Sequence, residues 1–147
     1  MRHCLVVDDS EMMRKVAHGL IEELGLTSTE AETADAALLH CQRAMPDAIL
    51  LDSHLPGLSA HGFLAQLRDM PNGSRPVVIY CTAENDRDDL ALAMRNGAKV
   101  VLMKPFDQEA FTRSLQDAGL SMAMLDYRTG GRAERRLRQR DAEFGGL

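Results

Sequence analysis

Polar residues with chemical potential sit directly after apolar runs in this sequence. Asp8 and Asp9 follow Cys4–Val7, Asp52 follows Ala48–Leu51, Thr82 follows Pro76–Cys81, and Lys104 follows Val100–Met103. Three of these side chains are carboxylates. Two carboxylates about 4 Å apart repel by about 4 kcal/mol at an effective dielectric near 20. A fold that gathers Asp8, Asp9 and Asp52 therefore needs something to offset that repulsion. A hard divalent cation does so, and Mg²⁺ favours a few carboxylates together with waters and phosphate oxygens. Lys104 adds a point cation suited to phosphate, and Thr82 adds a hydroxyl donor. The chemistry this set supports is phosphoryl acceptance by an aspartate, with metal, Lys104 and Thr82 stabilising the charge.

A second constellation lies near the C-terminus. Between Arg128 and Arg140 stand six arginines (Arg128, Arg132, Arg135, Arg136, Arg138 and Arg140) against Glu134 alone, or +5 in thirteen residues. None of the cations is lysine. The planar guanidinium binds phosphate in bidentate fashion and stacks on flat rings, as lysine cannot. Long nucleic acid is an unfavourable partner, because residues 1–125 carry −7 and would repel a polyanion. A small guanine nucleotide fits better. Arginine grips guanine O6 and N7 with two parallel hydrogen bonds and stacks on the base. Asp141 or Glu143 can accept from the guanine N1 and N2 donors, and Tyr127 and Phe144 offer further stacking surfaces. The Arg128-x₃-Arg132, Arg132-x₃-Arg136 and Arg136-x₃-Arg140 spacings repeat the RxxxR form of PilZ-type cyclic di-GMP receptors, a pattern any arginine-rich stretch can produce.

The elements that must position these residues alternate along the chain. Short apolar strands are expected at Cys4–Val7, Ala48–Leu51, Pro76–Cys81 and Val100–Met103, with a weaker one at Thr27–Glu32. Helical spacing follows each strand: from Ser10 to Gly25, Asp35–Ala44, Ser59–Arg68, Asn85–Asn96 and Asp107–Ala118. Five such βα units imply a parallel sheet covered on both faces. In such sheets ligands bind outside the carboxyl ends of the strands, where strand order reverses. The polar residues above occupy those positions.

Composition agrees. The 147 residues are 45% hydrophobic, enough to bury a core, and 17 basic against 22 acidic residues give a net charge of −5. No apolar run approaches the ~18 residues that cross a bilayer, and acids at Asp8, Asp9 and Glu11 exclude a signal peptide. Cys4, Cys41 and Cys81 lack CxxC spacing and read as buried thiols of a cytoplasmic protein. His18, His40, His54 and His61 share neither a helical face nor metal-ligand spacing, so surface or packing roles are expected. Met12, Met13, Met94, Met103, Met122 and Met124 read mostly as core filler. Met122–Leu125 either lengthens the final helix or packs against a partner. Gly130-Gly131 breaks any continuing helix, and the tail beyond is too polar to order itself without a ligand.

The pattern Asp8-Asp9, Asp52, Thr82-Ala83 and Lys104-Pro105 resembles the receiver domain of CheY-like response regulators over residues 1–120. The resemblance implies a flavodoxin-like α/β fold, with five parallel strands in the order 2-1-3-4-5 and helices on both faces. It implies Asp52 as phosphoacceptor, Asp9 as a direct Mg²⁺ ligand, Asp8 as a ligand through water, and the His54 backbone carbonyl as a further ligand. Thr82 and Lys104 match the pair that engages the phosphoryl group. One departure matters: Val101 stands where receivers usually carry an aromatic switch residue, three positions before the lysine. Together with an arginine-rich extension over 121–147, this looks like the Cle-type group of cyclic di-GMP effectors. The implied protein is a non-enzymatic adaptor that binds cyclic di-GMP through the tail and then docks on a protein partner, the flagellar motor switch, to control motility or attachment. The alternative is a conventional regulator phosphorylated on Asp52 by a histidine kinase, with output by protein contact. A nucleic-acid-binding module is the least favoured class. No DNA-binding helix-turn-helix or catalytic output module is legible.

Overall fold

The computed structural model describes residues 2–120. Ten elements alternate along them: β1 (His3–Val7), α1 (Glu11–Glu23), β2 (Thr27–Ala31), α2 (Ala34–Arg43), β3 (Ala48–Asp52), α3 (Ala60–Asp69), β4 (Val77–Thr82), α4 (Arg87–Arg95), β5 (Val100–Met103) and α5 (Gln108–Asp117). The strands form one parallel sheet in the order β2-β1-β3-β4-β5, as expected.

Alternation along the strands divides the core in two. Leu5, Val7, Ile49, Leu51, Val78 and Tyr80 face Ala37, Phe63, Leu64 and Ala93 on one side of the sheet. Cys4, Val6, Leu50, Ile79, Cys81 and Leu102 face Ala17, Ile21, Phe111 and Leu115 on the other. Burying each of these large side chains contributes roughly 1.5–3 kcal/mol. The central strand β3 is buried at every position. The sequence TSTEA of β2 is weakly apolar because β2 is an edge strand that buries only Ala31.

Each helix starts on a side-chain cap that accepts a backbone N–H: Ser10, Thr33, Ser59, Asp86 and Asp107 in turn. These caps place the expected boundaries within two residues. β4 begins at Val77 rather than Pro76, since proline has no N–H for the ladder. Gly97 turns the chain from α4 into β5 with φ +109°, and a Cβ there would strike the Arg68 guanidinium.

The reading of the methionines as core filler needs correcting at three positions, while Met13 is half-buried and Met122 and Met124 lie outside the described residues. Met12 is 75% exposed, Met94 44% and Met103 42%. Met12 and Met94 stand on the outer faces of α1 and α4, whose buried stripes are Ala17 with Ile21 and Ala93 alone. Met103 ends the edge strand β5. Cys4, Cys41 and Cys81 are buried as expected. Burial pushes their thiols up to about 12, about 11 and about 12, so they stay protonated and inert at neutral pH.

Candidate functional site

β1 ends at Val7, and the chain turns so that Asp8 closes the strand while Asp9 faces solvent. The Asp8 N–H donates to the Ala31 carbonyl at 3.1 Å, tying the loop to β2. Its carboxylate accepts the Ser10 N–H at 2.9 Å. Asp52 is the last residue of β3, in register with Cys81 of β4. One carboxylate oxygen from each of Asp8, Asp9 and Asp52 lies within 4.8 Å of the others. Asp8 and Asp52 are each only 6% exposed.

Lys104 enters from the end of β5 and holds both buried acids. Its Nζ donates to Asp8 Oδ2 at 2.9 Å and to Asp52 Oδ1 at 3.0 Å. Its backbone N–H donates to the Thr82 carbonyl at 2.8 Å, which fixes where the side chain starts. Burial works against the ammonium, but the hydrogen bonds and charges of Asp8 and Asp52 outweigh it and raise its pKa above the ordinary lysine value. For Asp52 the balance goes the other way. Burial raises its carboxyl pKa, and the Asp8 charge adds to the rise. The Lys104 hydrogen bond and charge and the His54 N–H offset this only in part. Both groups are thus shifted upward, which favours the charged form of Lys104 and disfavours that of Asp52, the more desolvated of the two and the one that faces a like charge. Its side chain is 7% exposed against 20% for Lys104.

Thr82 ends β4 and is buried, yet its hydroxyl is engaged by the next loop, accepting the Glu84 N–H at 3.1 Å. His54 follows two residues after Asp52. Its ring lies 2.9 Å from Ser53 Oγ through Nδ1 and 3.5 Å from Glu84 Oε1 through Nε2. The five residues chosen from the strand ends are thus brought to the carboxyl end of the sheet, Thr82 with its hydroxyl turned to Glu84. Oxygen donors alone, three of them carboxylates, fit a hard cation such as Mg²⁺. Tyr127, Arg128, Arg132, Arg135, Arg136, Arg138, Arg140, Asp141 and Phe144 lie outside the described residues.

Two residues were missed by sequence reasoning. Tyr80, two positions before Thr82 on the same sheet face, is fully buried, and its hydroxyl donates to Asp89 Oδ2 at 2.8 Å. Asp89 Oδ1 meets His61 Nε2 at 2.7 Å. The available signal was a tyrosine inside an otherwise aliphatic strand, since a buried hydroxyl requires a partner. Arg14 of α1 is the other: its guanidinium donates to the Asp8 carbonyl at 2.8 Å. Helical periodicity gives no hint of that contact.

Comparison with known proteins agrees with this geometry. The family model described as "Response regulator receiver domain" matches residues 4–116. The sensor histidine kinase AruS of Pseudomonas aeruginosa is 35% identical over 124 residues, 82% of this chain and 12% of AruS. The phosphate regulon transcriptional regulatory protein PhoB of Escherichia coli is 35% identical over 71% of this chain and 46% of PhoB. The chain thus spans under half the length of either relative. Protein PilH of P. aeruginosa is 28% identical over 78% of this chain and 95% of PilH. Among solved structures, the chemotaxis protein CheY4 of Vibrio cholerae superposes with a TM-score of 0.76 at 25% identity, covering 80% of this chain and 98% of that one. The receiver domain of the P. aeruginosa sensor histidine kinase PA1611 gives a TM-score of 0.73 at 27% identity, covering 81% and 98%, and holds a magnesium ion in its active-site cleft. Fold, strand-end residues and family match converge, and the chain belongs to the response regulator receiver domain family.

Proposed function

We propose that this chain is a signalling adaptor whose acidic pocket takes Mg²⁺ and whose Asp52 accepts a phosphoryl group. The observation that carries this reading is Lys104 Nζ held between Asp8 Oδ2 and Asp52 Oδ1, at 2.9 and 3.0 Å. The donor is a phosphohistidine of a histidine kinase. A carboxylate oxygen of Asp52 attacks the phosphorus, the P–N bond breaks, and the imidazole keeps the electron pair and takes a proton. Asp9, Asp52 and the His54 backbone carbonyl would hold Mg²⁺ directly and Asp8 through water, and the ion would supply charge neutralisation for the carboxylates and phosphoryl oxygens. Lys104 is the protein's own cation for those oxygens. Thr82 exchanges its bond to Glu84 for one to the phosphoryl group. Output is by protein contact. The test is incubation of the full chain with acetyl phosphate and Mg²⁺. Intact mass should rise by one phosphoryl group, and the gain should be lost on chelation or in Asp52→Asn. No gain in the unsubstituted chain overturns the reading.

A second input is favoured by one sequence observation, the six arginines of Arg128–Arg140 against Glu134 alone. On this reading the extension over 121–147 grips cyclic di-GMP, with Tyr127 and Phe144 stacking on guanine and Asp141 accepting from it. The liganded protein then docks on the flagellar motor switch to set motility or attachment. Calorimetric titration of cyclic di-GMP into the full chain and into a chain ending at Leu125 tests it. Binding by the full chain alone supports the assignment, and equal affinity in both removes the tail from it.

A further inference from the structure

Arg14 makes an unusual set of contacts for a residue in the first turns of a surface helix. Its Nη1 donates to the Asp8 backbone carbonyl at 2.8 Å, and its Nε donates to Glu30 Oε1 at 3.1 Å. Nη2 lies 3.9 Å from Glu32 Oε2. Only 12% of the Arg14 side chain is exposed, against 72% for its neighbour Lys15, which pairs with Glu11. The guanidinium thus bridges three segments: α1, on which it is mounted, the loop after β1, and the outer strand β2 with the residue that follows it.

The oxygen it grips is the informative part. The Asp8 carbonyl belongs to the peptide unit that joins Asp8 to Asp9. That unit is rigid and planar, and its rotation is set by the ψ of Asp8 and the φ of Asp9. Those are the two torsions that separate one carboxylate from the other. The same loop is held a second time at the Asp8 N–H, which donates to the Ala31 carbonyl on β2 at 3.1 Å. A hydrogen bond on the carbonyl therefore fixes the angle at which Asp8 and Asp9 present their oxygens to Asp52. The fork serves the carbonyl from Nη1 and Glu30 from Nε, two nitrogens held in one plane; a lysine would have to serve both from a single nitrogen, without that fixed geometry.

The geometry points to Arg14 as a positioning residue for the cation site, with Glu30 as its anchor. This inference rests on the reading of Asp8 and Asp9 as metal ligands. Coulomb's law and positioning make opposite demands on the sign of the effect. Arg14 is itself a cation beside the loop, so if its charge were all that mattered, removing it would strengthen Mg²⁺ binding. If it orients the ligands, removing it weakens binding, and groups that orient metal ligands typically carry ten- to a hundredfold in affinity.

The experiment is calorimetric titration of MgCl₂ into the full chain and into Arg14→Met, Arg14→Lys and Lys15→Met. Thermal melting in EDTA checks that each variant is folded. Arg14→Met keeps the aliphatic stem and should bind Mg²⁺ about ten- to a hundredfold more weakly. Arg14→Lys keeps the charge and loses the fork, and should weaken binding in the same direction; it carries the test alone if Arg14→Met fails to fold. Lys15→Met should leave affinity unchanged or slightly raised. Equal or tighter binding in the folded Arg14 variants overturns the positioning role while leaving the metal site intact. Absence of Mg²⁺ binding in the unsubstituted chain overturns the site, and the inference with it.

Discussion

Tyr80 of β4 lies in register with Val101 of β5. The fully buried phenol passes beneath α4, where its hydroxyl meets Asp89 in the helix's first turn at 2.8 Å. The β5 position lacks an aromatic ring, and the paired position on the neighbouring strand supplies one. Ring and hydroxyl tie the strand that ends in Thr82 to the start of α4, and His61 of α3 joins through the other Asp89 oxygen at 2.7 Å. The phenol pKa is raised by burial first, and then by its bond to Asp89 and by the Asp89, Asp52 and Asp86 charges. It stays a hydrogen-bond donor at all physiological pH.

Tyr80→Phe keeps the ring and removes the donor. Asp89 retains His61 and partial exposure, so the loss should be about 1 kcal/mol rather than the larger cost of an orphaned buried acceptor. Denaturant unfolding measures it. Hydrogen exchange should accelerate at the α4 amides and leave β3 unchanged. Uniform acceleration across the domain would show that the hydroxyl only adds global stability.

Asp52→Asn should raise stability at pH 7 while abolishing phosphoryl uptake. The sign follows from the direction of the Asp52 shift. Its pKa in the fold lies above the ordinary value of 3.8, with burial as the main cause. The folded state therefore holds the proton more tightly than the unfolded chain does. As pH rises through that interval stability falls, and the full cost is present above the folded pKa. Asparagine avoids that cost. The melting temperature of the variant should exceed that of the unsubstituted chain at pH 7. The gap should shrink as pH falls through the folded pKa towards the ordinary carboxylate range. A variant less stable at pH 7 would mean that the Lys104 contact outweighs burial.

Much of this arrangement is legible in the sequence, because strand ends in a parallel sheet are marked by a change from apolar to polar residues. Asp8, Asp52, Thr82 and Lys104 each interrupt an apolar run, and the caps Ser10, Ser59 and Asp107 mark where helices begin. Local periodicity is silent on pairings across the sheet. Nothing near Tyr80 announces Asp89 nine residues on, and nothing near Arg14 on α1 announces Glu30 on β2. The exposed Met12 and Met94 show a further limit. A narrow buried stripe needs few apolar positions, so apolar residues beside it need not be inside.

Replacing single tail arginines by lysine tests the nucleotide reading independently of Asp52. If Arg132, Arg135, Arg136 or Arg140 grips guanine through its fork, the Arg→Lys change at that position should cost roughly 1–3 kcal/mol of cyclic di-GMP affinity although charge is kept. Calorimetry on the single variants gives the answer. Losses that track net charge alone, equal for all six arginines and restored by lysine, would point to loose electrostatic attraction. Asp52→Asn should leave nucleotide affinity nearly unchanged.

Lys104→Met isolates what the ammonium does for the acids. Its removal leaves Asp8 and Asp52, each 6% exposed, facing one another with their shared counter-charge gone. Breaking a buried pair by deleting one partner costs about 3–5 kcal/mol. The lower end is expected here, because the side chain of Lys104 is 20% exposed and water can reach the gap. The destabilised variant should then respond more steeply to Mg²⁺ than the unsubstituted chain, since the cation replaces a missing charge rather than competing with one. At a hundredfold excess over its dissociation constant, Mg²⁺ should return about 2.7 kcal/mol. Denaturant unfolding with and without MgCl₂ reads both effects. Unfolding of Lys104→Met that is insensitive to MgCl₂, in a variant shown to be folded, would mean that the three carboxylates do not form a cation site.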